Sequence, residues 1–279
     1  MQGWLVGSPG GRGPEGARVG VKRAVEAMHL SIIIPAYNEE QRIDGTLKAI
    51  LAYLAQQPYS VEIIVVDDGS QDATADVVAL FCGDKPQVQL LRNGRNRGKG
   101  FSVRRGFSQA CGEFLLFSDA DLSTPIEEVE KLLAALHMPH DIAIGSRALP
   151  ESRVEVHQPW YREKMGRLFN VLVQTLVMRG IRDTQCGFKC FTREAAVEIS
   201  QRMTRDRFGF DVEMLYLAHV LGYRVCQVPV VWRNSPQTRV HAIRDSASMI
   251  ADLLSIRWNH LRGRYDARKR VSLRSHRVI

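Results

Sequence analysis

The chain has 279 residues, of which 45% are hydrophobic, and its formal net charge is +8. This composition is typical of a globular protein with enough chain for one large domain or two small ones, rather than of a disordered or fibrous chain. The longest apolar stretches are far shorter than the roughly 20 residues that span a bilayer, so no transmembrane helix is predicted.

Strand-like and helix-like segments alternate through the first half of the chain. Five short apolar runs predict buried strands, namely LSIIIP, VEIIVVDDGS, VQLLRN, EFLLFSDAD and DIAIGSR. Four segments with helical spacing lie between them, and the second of these helices begins with Ser70 as a capping residue. This order predicts an α/β fold with a mostly parallel, Rossmann-like central sheet and helices on both of its faces.

The second half of the chain is less regular. YREKMGRLFNVLVQTLVMRG, FDVEMLYLAHVLG and AIRDSASMIADLLSIRW predict helices, YRVCQVPVVW predicts a strand, and DTQCGFKCF is predicted to be loop-like. The last helix carries an apolar stripe at Ile243, Ala247, Ile250 and Leu254. This stripe predicts either an anchor at a membrane interface or packing on the domain itself.

Both ends of the chain differ in composition from the middle. Residues 1–28 are rich in Gly and Arg and lack the apolar segment of a signal peptide, so they are interpreted as a flexible leader or a misassigned start. From Arg257 onward Asp266 is the one acidic residue. We therefore predict one domain over 29–258, which includes the last amphipathic helix, and a basic tail over 259–279 that faces solvent, anionic lipid or nucleic acid.

The five cysteines are odd in number and widely spaced, which predicts unpaired thiols. Cys186 and Cys190 form a C-x3-C motif, but no second Cys/His pair completes a structural zinc site. Unpaired thiols fit a reducing compartment, so a cytoplasmic location is expected.

Polar residues follow four of the five predicted strands. In a parallel sheet ligands bind beyond the carboxyl ends of the strands, so these residues predict one polar crevice. They are Tyr37, Asn38 and Glu39 after the first strand, Asp67 and Asp68 after the second, Asp119 and Asp121 after the fourth, and Ser146 and Arg147 after the fifth.

Asp119 and Asp121 are the strongest candidates for a metal site. Residues two apart on an extended strand point to the same side, so their carboxylates are predicted to converge. Paired hard oxygen ligands at an open crevice suit Mg²⁺ or Mn²⁺, which also accept the phosphates of a substrate. The alternative is that Asp121 or Ser123 caps the helix that follows DLSTP.

The segment RNGRNRGKG after the third strand predicts an anion-binding loop, or else a solvated basic turn. It combines cationic side chains with exposed backbone amides at a helix entrance. It lacks the order of a Walker loop, and no G-x-G-x-x-G follows the first strand, which disfavours a dinucleotide site.

Taken together, the motifs resemble glycosyltransferase family 2, whose fold is called GT-A. The segments SIIIPAYNEE, VVDDGSQDAT, NRGKGFSVRRG, FSDADLSTP and IAIGSR carry this resemblance. DTQCGFKCFTREAA, FGFDVEMLYLA and VPVVWRNSPQTRVHAIRDSASM resemble the dolichyl-phosphate β-glucosyltransferases within that family, and less closely the mannose synthases. The resemblance covers roughly residues 30–258.

The resemblance implies roles for residues at matching positions. Nucleotide contacts are implied for Pro35, Tyr37, Glu39, Asp68, Lys99 and Asp119, and among these Asp68 matches the residue that contacts the nucleobase. Asp67 either belongs to the same set or bonds only to backbone. Metal contacts are implied for Asp119 and Asp121, with Ser123 as an extra ligand. Arg147 matches a cationic position near the phosphates or the sugar, and sugar or acceptor contacts are implied for Asp183, Gln185, Lys189, Asp211, Glu213 and Arg239.

For some of these residues a structural role is the alternative. Asp183 could close a turn, Glu213 could be a surface residue of a helix, and Trp232 is interpreted as packing rather than sugar stacking.

The implied reaction moves a hexose, with glucose from UDP-glucose as the first choice, to a polyprenyl phosphate with inversion. A phosphate acceptor is already anionic at neutral pH and needs placement, whereas a hydroxyl acceptor needs a base, for which Asp211 is the candidate. Mannosyl transfer from GDP-mannose and a soluble hydroxyl acceptor are the alternatives. A non-catalytic module that binds nucleic acid or lipid is the alternative from another class, and the acidic crevice argues against nucleic acid as a partner.

The eukaryotic glucosyltransferases carry an N-terminal membrane helix that is not found in this sequence. We therefore expect either peripheral binding on the cytoplasmic face of a membrane or an acceptor that is not a lipid.

Overall fold

The computed structural model describes residues 29–157, 159–207, 209–234 and 242–266. The first half of the chain forms β1 (Leu30–Ala36), α1 (Ile43–Leu54), β2 (Val61–Asp67), α2 (Thr74–Asp84), β3 (Val88–Arg92), α3 (Lys99–Gln109), β4 (Phe114–Ser118), α4 (Val129–Leu136) and β5 (Ile142–Ser146). The second half forms β6 (Arg153–Val156), α5 (Trp160–Leu176), β7 (Phe188–Thr192), α6 (Arg193–Arg202), α7 (Phe210–Val220), β8 (Val225–Pro229), β9 (Val231–Arg233) and α8 (Ala242–Leu261). The predicted leader lies outside the described residues.

A seven-stranded sheet in the order β3-β2-β1-β4-β7-β5-β8 forms the centre of the molecule. Neighbouring strands run parallel except at β7, which is antiparallel to both β4 and β5. The prediction of a mostly parallel sheet is therefore confirmed. Because β1, β2 and β4 are parallel, the loops that follow them lie at the same edge of the sheet.

The prediction that DTQCGFKCF is loop-like is wrong for residues 188–191, which belong to β7. Phe188, Lys189, Cys190 and Phe191 are all buried, because helices cover both faces of the sheet at this strand. A lysine in the middle of a short run hides the apolar pattern of a buried strand. The ion pair that makes this lysine tolerable is formed with a residue of α7 and cannot be seen in the local sequence.

Two apolar cores lie on opposite faces of the sheet. Helices α1, α2 and α4 pack on one face through residues such as Leu47, Val78 and Leu132. Helices α3, α5, α6, α7 and α8 pack on the other, where Phe107 and Phe117 are buried. The expectation of helices on both faces is thus confirmed.

The predicted strand YRVCQVPVVW is divided between two sheets. β8 pairs with β5 in the central sheet, whereas β9 pairs with β6 in a separate two-stranded sheet. The core also extends past the predicted domain boundary at residue 258, since Tyr265 is wholly buried. Of the helices described, none is long and apolar enough to cross a membrane.

Candidate active site

The loops that follow β1 and β2 are joined by hydrogen bonds. The Asn38 amide donates to Ser70 Oγ at 2.9 Å, and the Glu39 amide donates to Thr74 Oγ1 at 2.7 Å. Asn38 has a φ of 55°, a left-handed conformation that Asn adopts more readily than most residues. Ser70 therefore braces the first loop and does not cap α2, whose first amide instead donates to Asp72 Oδ1 at 3.0 Å.

A cavity of about 450 Å³ opens between these loops and the segment after β3. Its volume lies within the range of small-molecule sites. Tyr37 and Asp67 line it together with Arg95 and Asn96 from the basic segment that was predicted to bind anions. Gly69 has a φ of 75°, and a Cβ there would overlap the Arg95 backbone, so a side chain at this position would separate the two loops.

Asp68 organises the basic loop rather than lining the cavity. Its Oδ1 accepts hydrogen bonds from Asn93 Nδ2 at 2.7 Å and from the Arg97 amide at 2.9 Å, and its Oδ2 accepts one from the Gly98 amide at 2.8 Å. The carboxylate is buried. The resemblance assigns Asp68 to contact with the nucleobase, but here its carboxylate accepts hydrogen bonds from the protein itself.

Asp67 is the carboxylate that lines the cavity. Its Oδ1 accepts a hydrogen bond from the Ser70 amide at 3.1 Å, and its Oδ2 lies 3.9 Å from Arg92 Nε. Arg92 also lines the cavity. The sequence presented two alternatives for Asp67, a hydrogen bond to backbone or a position in the binding site. The structure shows that Asp67 bonds to backbone and also lines the cavity.

Asp119 and Asp121 lie in a tight turn, and the argument from strand alternation is wrong for them. β4 ends at Ser118, and the Leu122 amide donates to the Asp119 carbonyl at 3.3 Å. Leu122 has a φ of 45°, which is unusual for a branched residue and marks local strain. Asp121 Oδ1 accepts the Ser123 amide at 3.0 Å, so Asp121 does fix the local turn as well.

Lys99, the first residue of α3, forms an ion pair with Asp119. Its Nζ lies 2.5 Å from Asp119 Oδ1. Burial disfavours the charged amine, but the carboxylates of Asp119, Asp211 and Asp121 outweigh burial and raise the pKa of Lys99 above its usual value. The amine is therefore a fixed positive charge at the acidic turn.

The Asp119 side chain packs directly on Gly187. A Cβ at residue 187 would overlap the Asp119 carboxylate. The Asp119 amide also donates to the Gly187 carbonyl at 3.0 Å. The loop before β7 therefore sets the position of this carboxylate.

A second buried ion pair joins β7 to α7. Lys189 Nζ donates to Asp211 Oδ1 at 2.5 Å and to the Cys186 carbonyl at 2.7 Å. Burial raises the pKa of Asp211 above its usual value, while Lys189 and Lys99 act in the opposite direction. The predicted residues Lys99, Asp119, Lys189 and Asp211 thus form one cluster of alternating charge.

Arg147 forms a bidentate ion pair with Asp183. Arg147 Nε lies 2.7 Å from Asp183 Oδ2, and Nη2 lies 2.9 Å from Oδ1. Burial alone would raise the pKa of Asp183, but Arg147 lowers it to about 2. Asp183 Oδ1 also accepts the Gln185 amide at 3.2 Å, so the turn-closing role considered for Asp183 is present. Trp232 is buried beneath the Arg147 guanidinium, which agrees with a packing role.

Two predicted site residues do not present a side chain to the crevice. Glu213 is wholly buried and accepts hydrogen bonds from Thr204, Arg205 and Tyr265, so it is neither a surface residue nor an exposed contact for a sugar. Pro35 is buried within β1. Arg239 lies outside the described residues.

The sequence reasoning missed Arg42. Its Nε donates to Glu39 Oε2 at 2.7 Å, and its Nη1 lies 4.0 Å from Asp121 Oδ2. Arg42 thereby links the loop after β1 to the turn that holds Asp121. The spacing of three residues between Glu39 and Arg42 is the signal that could have identified this pair.

The donor chemistry of the acidic turn fits a divalent cation. Asp119 and Asp121 offer partly exposed carboxylates, and Ser123 offers a hydroxyl beside them. The described residues contain no group of three or more His, Cys, Asp or Glu side chains arranged to hold a metal by themselves. Two partly exposed carboxylates are nevertheless compatible with Mg²⁺, which keeps several waters and is often bound through one or two carboxylates together with substrate phosphates.

The chain is similar to proteins of known family. The sequence profile described as Glycosyl transferase family 2 matches residues 31–199. The dolichyl-phosphate beta-glucosyltransferase of Drosophila melanogaster is 39% identical over 251 residues, which cover 85% of this chain and 77% of that protein. The enzyme of the same name from Homo sapiens is 36% identical over 247 residues, which cover 84% of this chain and 76% of that protein.

Solved structures with the same architecture are more distant in sequence. Glucosyl-3-phosphoglycerate synthase from Mycobacterium tuberculosis, in complex with UDP, matches with a TM-score of 0.64 at 21% identity over 82% of this chain and 80% of that chain. Mannosyltransferase PcManGT from Pyrobaculum calidifontis, in complex with GDP-Man and Mn²⁺, matches with a TM-score of 0.55 at 19% identity over 81% of this chain and 63% of that chain. These matches confirm the GT-A fold.

Proposed function

Because the chain belongs to glycosyltransferase family 2, we propose that it transfers glucose from UDP-glucose to a polyprenyl phosphate with inversion at the anomeric carbon. One observation carries this proposal. The Lys99–Asp119 pair lies at the carboxyl edge of a GT-A sheet, at the edge where the nucleotide-sized cavity opens. The names of relatives that are 33–39% identical support glucose as the sugar and dolichyl phosphate as the acceptor.

The donor nucleotide would occupy the cavity lined by Tyr37 and Asp67. Arg92 and Arg95 line the cavity and supply positive charge that can interact with the phosphates. Lys99 lies at the start of α3, where the helix dipole also favours negative charge. These groups would hold the diphosphate and stabilise the charge that develops on it as the sugar leaves.

Asp119 and Asp121, with Ser123 as an adjacent oxygen donor, are the residues that would hold Mg²⁺ or Mn²⁺. A bound divalent cation supplies Lewis acid stabilisation of the diphosphate leaving group. Lys99 neutralises part of the charge on Asp119. The chain's own contribution is therefore a site with two carboxylates and one permanent ammonium around the position of the diphosphate.

A phosphate monoester acceptor agrees with the state of Asp211. Asp211 is buried, and its Oδ1 accepts a hydrogen bond from Lys189. An acceptor that is already anionic attacks without giving up a proton, so it needs positive charge and placement more than a base. Arg147, whose side chain is partly exposed, is the candidate for orienting the acceptor or the sugar, whereas Lys189 is wholly buried against Asp211.

A lipid acceptor requires the enzyme to work at a membrane surface. We place the reaction on the cytoplasmic side, because all five cysteines are unpaired, as expected of a reducing compartment. Peripheral binding agrees with the lack of a membrane-spanning helix among the described residues.

Transfer to a soluble hydroxyl is the second candidate. It is supported by the raised pKa of Asp211, which would make this carboxylate a better proton acceptor. GDP-mannose is the competing donor, and a direct comparison of the two donors distinguishes them.

A donor-by-acceptor screen tests the proposal. Purified protein is incubated with UDP-glucose or GDP-mannose, with a short-chain polyprenyl phosphate or a polyol, and with Mg²⁺, Mn²⁺ or a chelator. We expect transfer from UDP-glucose to the phosphate, lost in Asp119→Asn and Asp121→Asn by about 100-fold or more and retained in Asp44→Asn, a matched change in exposed α1. Full turnover in both crevice variants would contradict the assignment.

A further inference from the structure

Helix α5 exposes an apolar face to solvent. Trp160, Tyr161, Leu168 and Val171 are exposed large side chains. Helical spacing places these four on one side of α5, whereas Val173 on the opposite side is buried in the core. Helix α5 is therefore packed on the core through one side and exposes these apolar residues on the other.

Helix α8 exposes a second face of the same kind. Ile250, Leu254, Trp258 and Leu261 are exposed, and Ile256 on the opposite side is wholly buried. Ile250 and Leu254 belong to the stripe predicted from the sequence, and the alternative that they pack on the domain is wrong. The side chains of the other two members of that stripe lie outside the described part of α8.

The two faces form one surface. α5 packs against α8, and both helices bury their inner sides in the same apolar core on one side of the sheet. Their outer sides therefore point away from that core together. We call this surface the α5–α8 face and define it by the eight exposed residues just named on the two helices.

Basic side chains accompany the aromatic residues of this face. Lys164 Nζ lies 4.9 Å from the centre of the Trp160 ring, and the Arg262 guanidinium lies 4.7 Å from that of Trp258. Exposed Arg167 and Arg257 lie on the same sides of α5 and α8. Exposed Trp, Tyr and Leu beside Lys and Arg are the composition of a surface that inserts at the boundary of an anionic bilayer.

A second copy of the chain is a less suitable occupant. A two-fold interface brings the same surface of each copy together, so the basic residues of both copies would be brought close to one another. Lipid phosphates instead supply charge opposite to these residues, and the tail beyond residue 257 continues the excess of basic residues.

We propose that the α5–α8 face docks the protein on an anionic membrane surface, an inference that rests on the proposed transfer to a polyprenyl phosphate. The face is also connected to the site. Asp252 of α8 lies against Gly209, the residue immediately before α7, and α7 carries Asp211. Asp252 Oδ1 also lies 3.4 Å from Arg205 Nη1. Docking would thus place the crevice close to a phosphate that is anchored in the same bilayer.

Vesicle sedimentation tests the docking directly. The probes are phosphatidylcholine vesicles and vesicles of equal parts phosphatidylcholine and phosphatidylserine. The test variant is Leu254→Glu with Leu261→Glu, and the matched control is Leu80→Glu with Met138→Glu, because Leu80 and Leu261 are both 73% exposed but Leu80 is on α2. A second variant, Lys164→Glu with Arg167→Glu, tests the charge.

We expect wild type and control to bind the anionic vesicles, with binding at least 10-fold weaker in both test variants. Equal binding by all four proteins, no binding by wild type, or a wild-type dimer that the Leu254→Glu and Leu261→Glu variant dissociates would overturn the proposal. Transfer to a short-chain, water-soluble polyprenyl phosphate separates the two inferences. It should be unchanged in the docking variants, and its absence in wild type would contradict the function rather than the surface.

Discussion

The Tyr265 hydroxyl donates a 2.6 Å hydrogen bond to Glu213 Oε1, which ties the chain beyond α8 to α7. Glu213 also accepts hydrogen bonds from the Thr204 amide at 2.8 Å and the Arg205 amide at 2.7 Å. The network lies two positions along α7 from Asp211. It fixes the start of the helix that carries one half of the buried ion pair with Lys189.

Replacing Tyr265 by phenylalanine should destabilise the fold. The substitution keeps the buried ring but leaves Glu213 with one donor fewer, which costs about 1–3 kcal/mol. The free energy of unfolding from urea denaturation is the measurement, and Tyr161→Phe on exposed α5 is the control. If both variants unfolded at the wild-type midpoint, Glu213 would not depend on Tyr265 for its stability.

Stability should fall in acid because of the Arg147–Asp183 pair. Arg147 lowers the pKa of Asp183 to about 2, from an unperturbed value near 3.8. A depressed carboxyl pKa contributes stability that is fully present above the unfolded value and is lost as the pH falls toward the folded value. The contribution is about 2 kcal/mol and disappears between about pH 4 and pH 2.

Unfolding free energies of wild type and Asp183→Asn across that range test the assignment. The variant should lack this part of the pH dependence, while Asp44→Asn on exposed α1 should retain it. The variant is also expected to be less stable at neutral pH, because it leaves Arg147 without its buried partner. Parallel curves for wild type and Asp183→Asn would show that the pair does not lower the carboxyl pKa.

Adding one methyl group at Gly187 should disable the site without unfolding the protein. The Cβ of Gly187→Ala overlaps the Asp119 carboxylate, so that side chain must leave its present position beside Lys99. A displacement of about 1 Å at a reacting group can cost about 100-fold in rate. Turnover and Mn²⁺ binding should both weaken while the melting temperature stays near that of wild type.

Gly83→Ala is the matched control for Gly187→Ala, because a Cβ at Gly83 in α2 meets no atom within 4 Å. It should keep full turnover. Unaltered turnover in Gly187→Ala would mean that the position of the Asp119 carboxylate is not critical.

The sequence predicted the sheet and the acidic edge because both depend on local patterns. Apolar runs such as those in β1 and β2 carry the period of buried strands, and parallel topology brings their ends together. β7 could not be predicted in this way, because Lys189 is buried in a strand and is satisfied by Asp211 from a later helix. At β7, the ion pair between residues distant in sequence determines the structure more than the local composition does.

Adjacent aspartates show the same limit within the site. The sequence identifies Asp67 and Asp68 as a pair, but their division of roles depends on the loop after β3. Asp68 accepts two amides of that loop, and Asp67 remains at the cavity. Likewise, the turn at Leu122 replaces the extended geometry from which the convergence of Asp119 and Asp121 was argued.

The acceptor class can be determined through Asp211 and Lys189. Asp211→Asn alone would leave Lys189 buried and unpaired, at a cost of about 3–5 kcal/mol. The test variant is therefore Asp211→Asn with Lys189→Met, which removes both charges. If the acceptor is a phosphate, this variant should keep transfer to a short-chain polyprenyl phosphate within about tenfold of wild type, because no proton has to be removed.

The pH profile of the wild type gives the matching readout. With a phosphate acceptor the rate should rise with the second ionisation of the acceptor, near pH 6, and it should do so in wild type and variant alike. With a hydroxyl acceptor the rate should instead rise as Asp211 ionises, at a pH displaced upward because burial raises the pKa of that carboxyl. A rise that is present in wild type and absent from the double variant would identify Asp211 as the base and would exclude the phosphate as the acceptor.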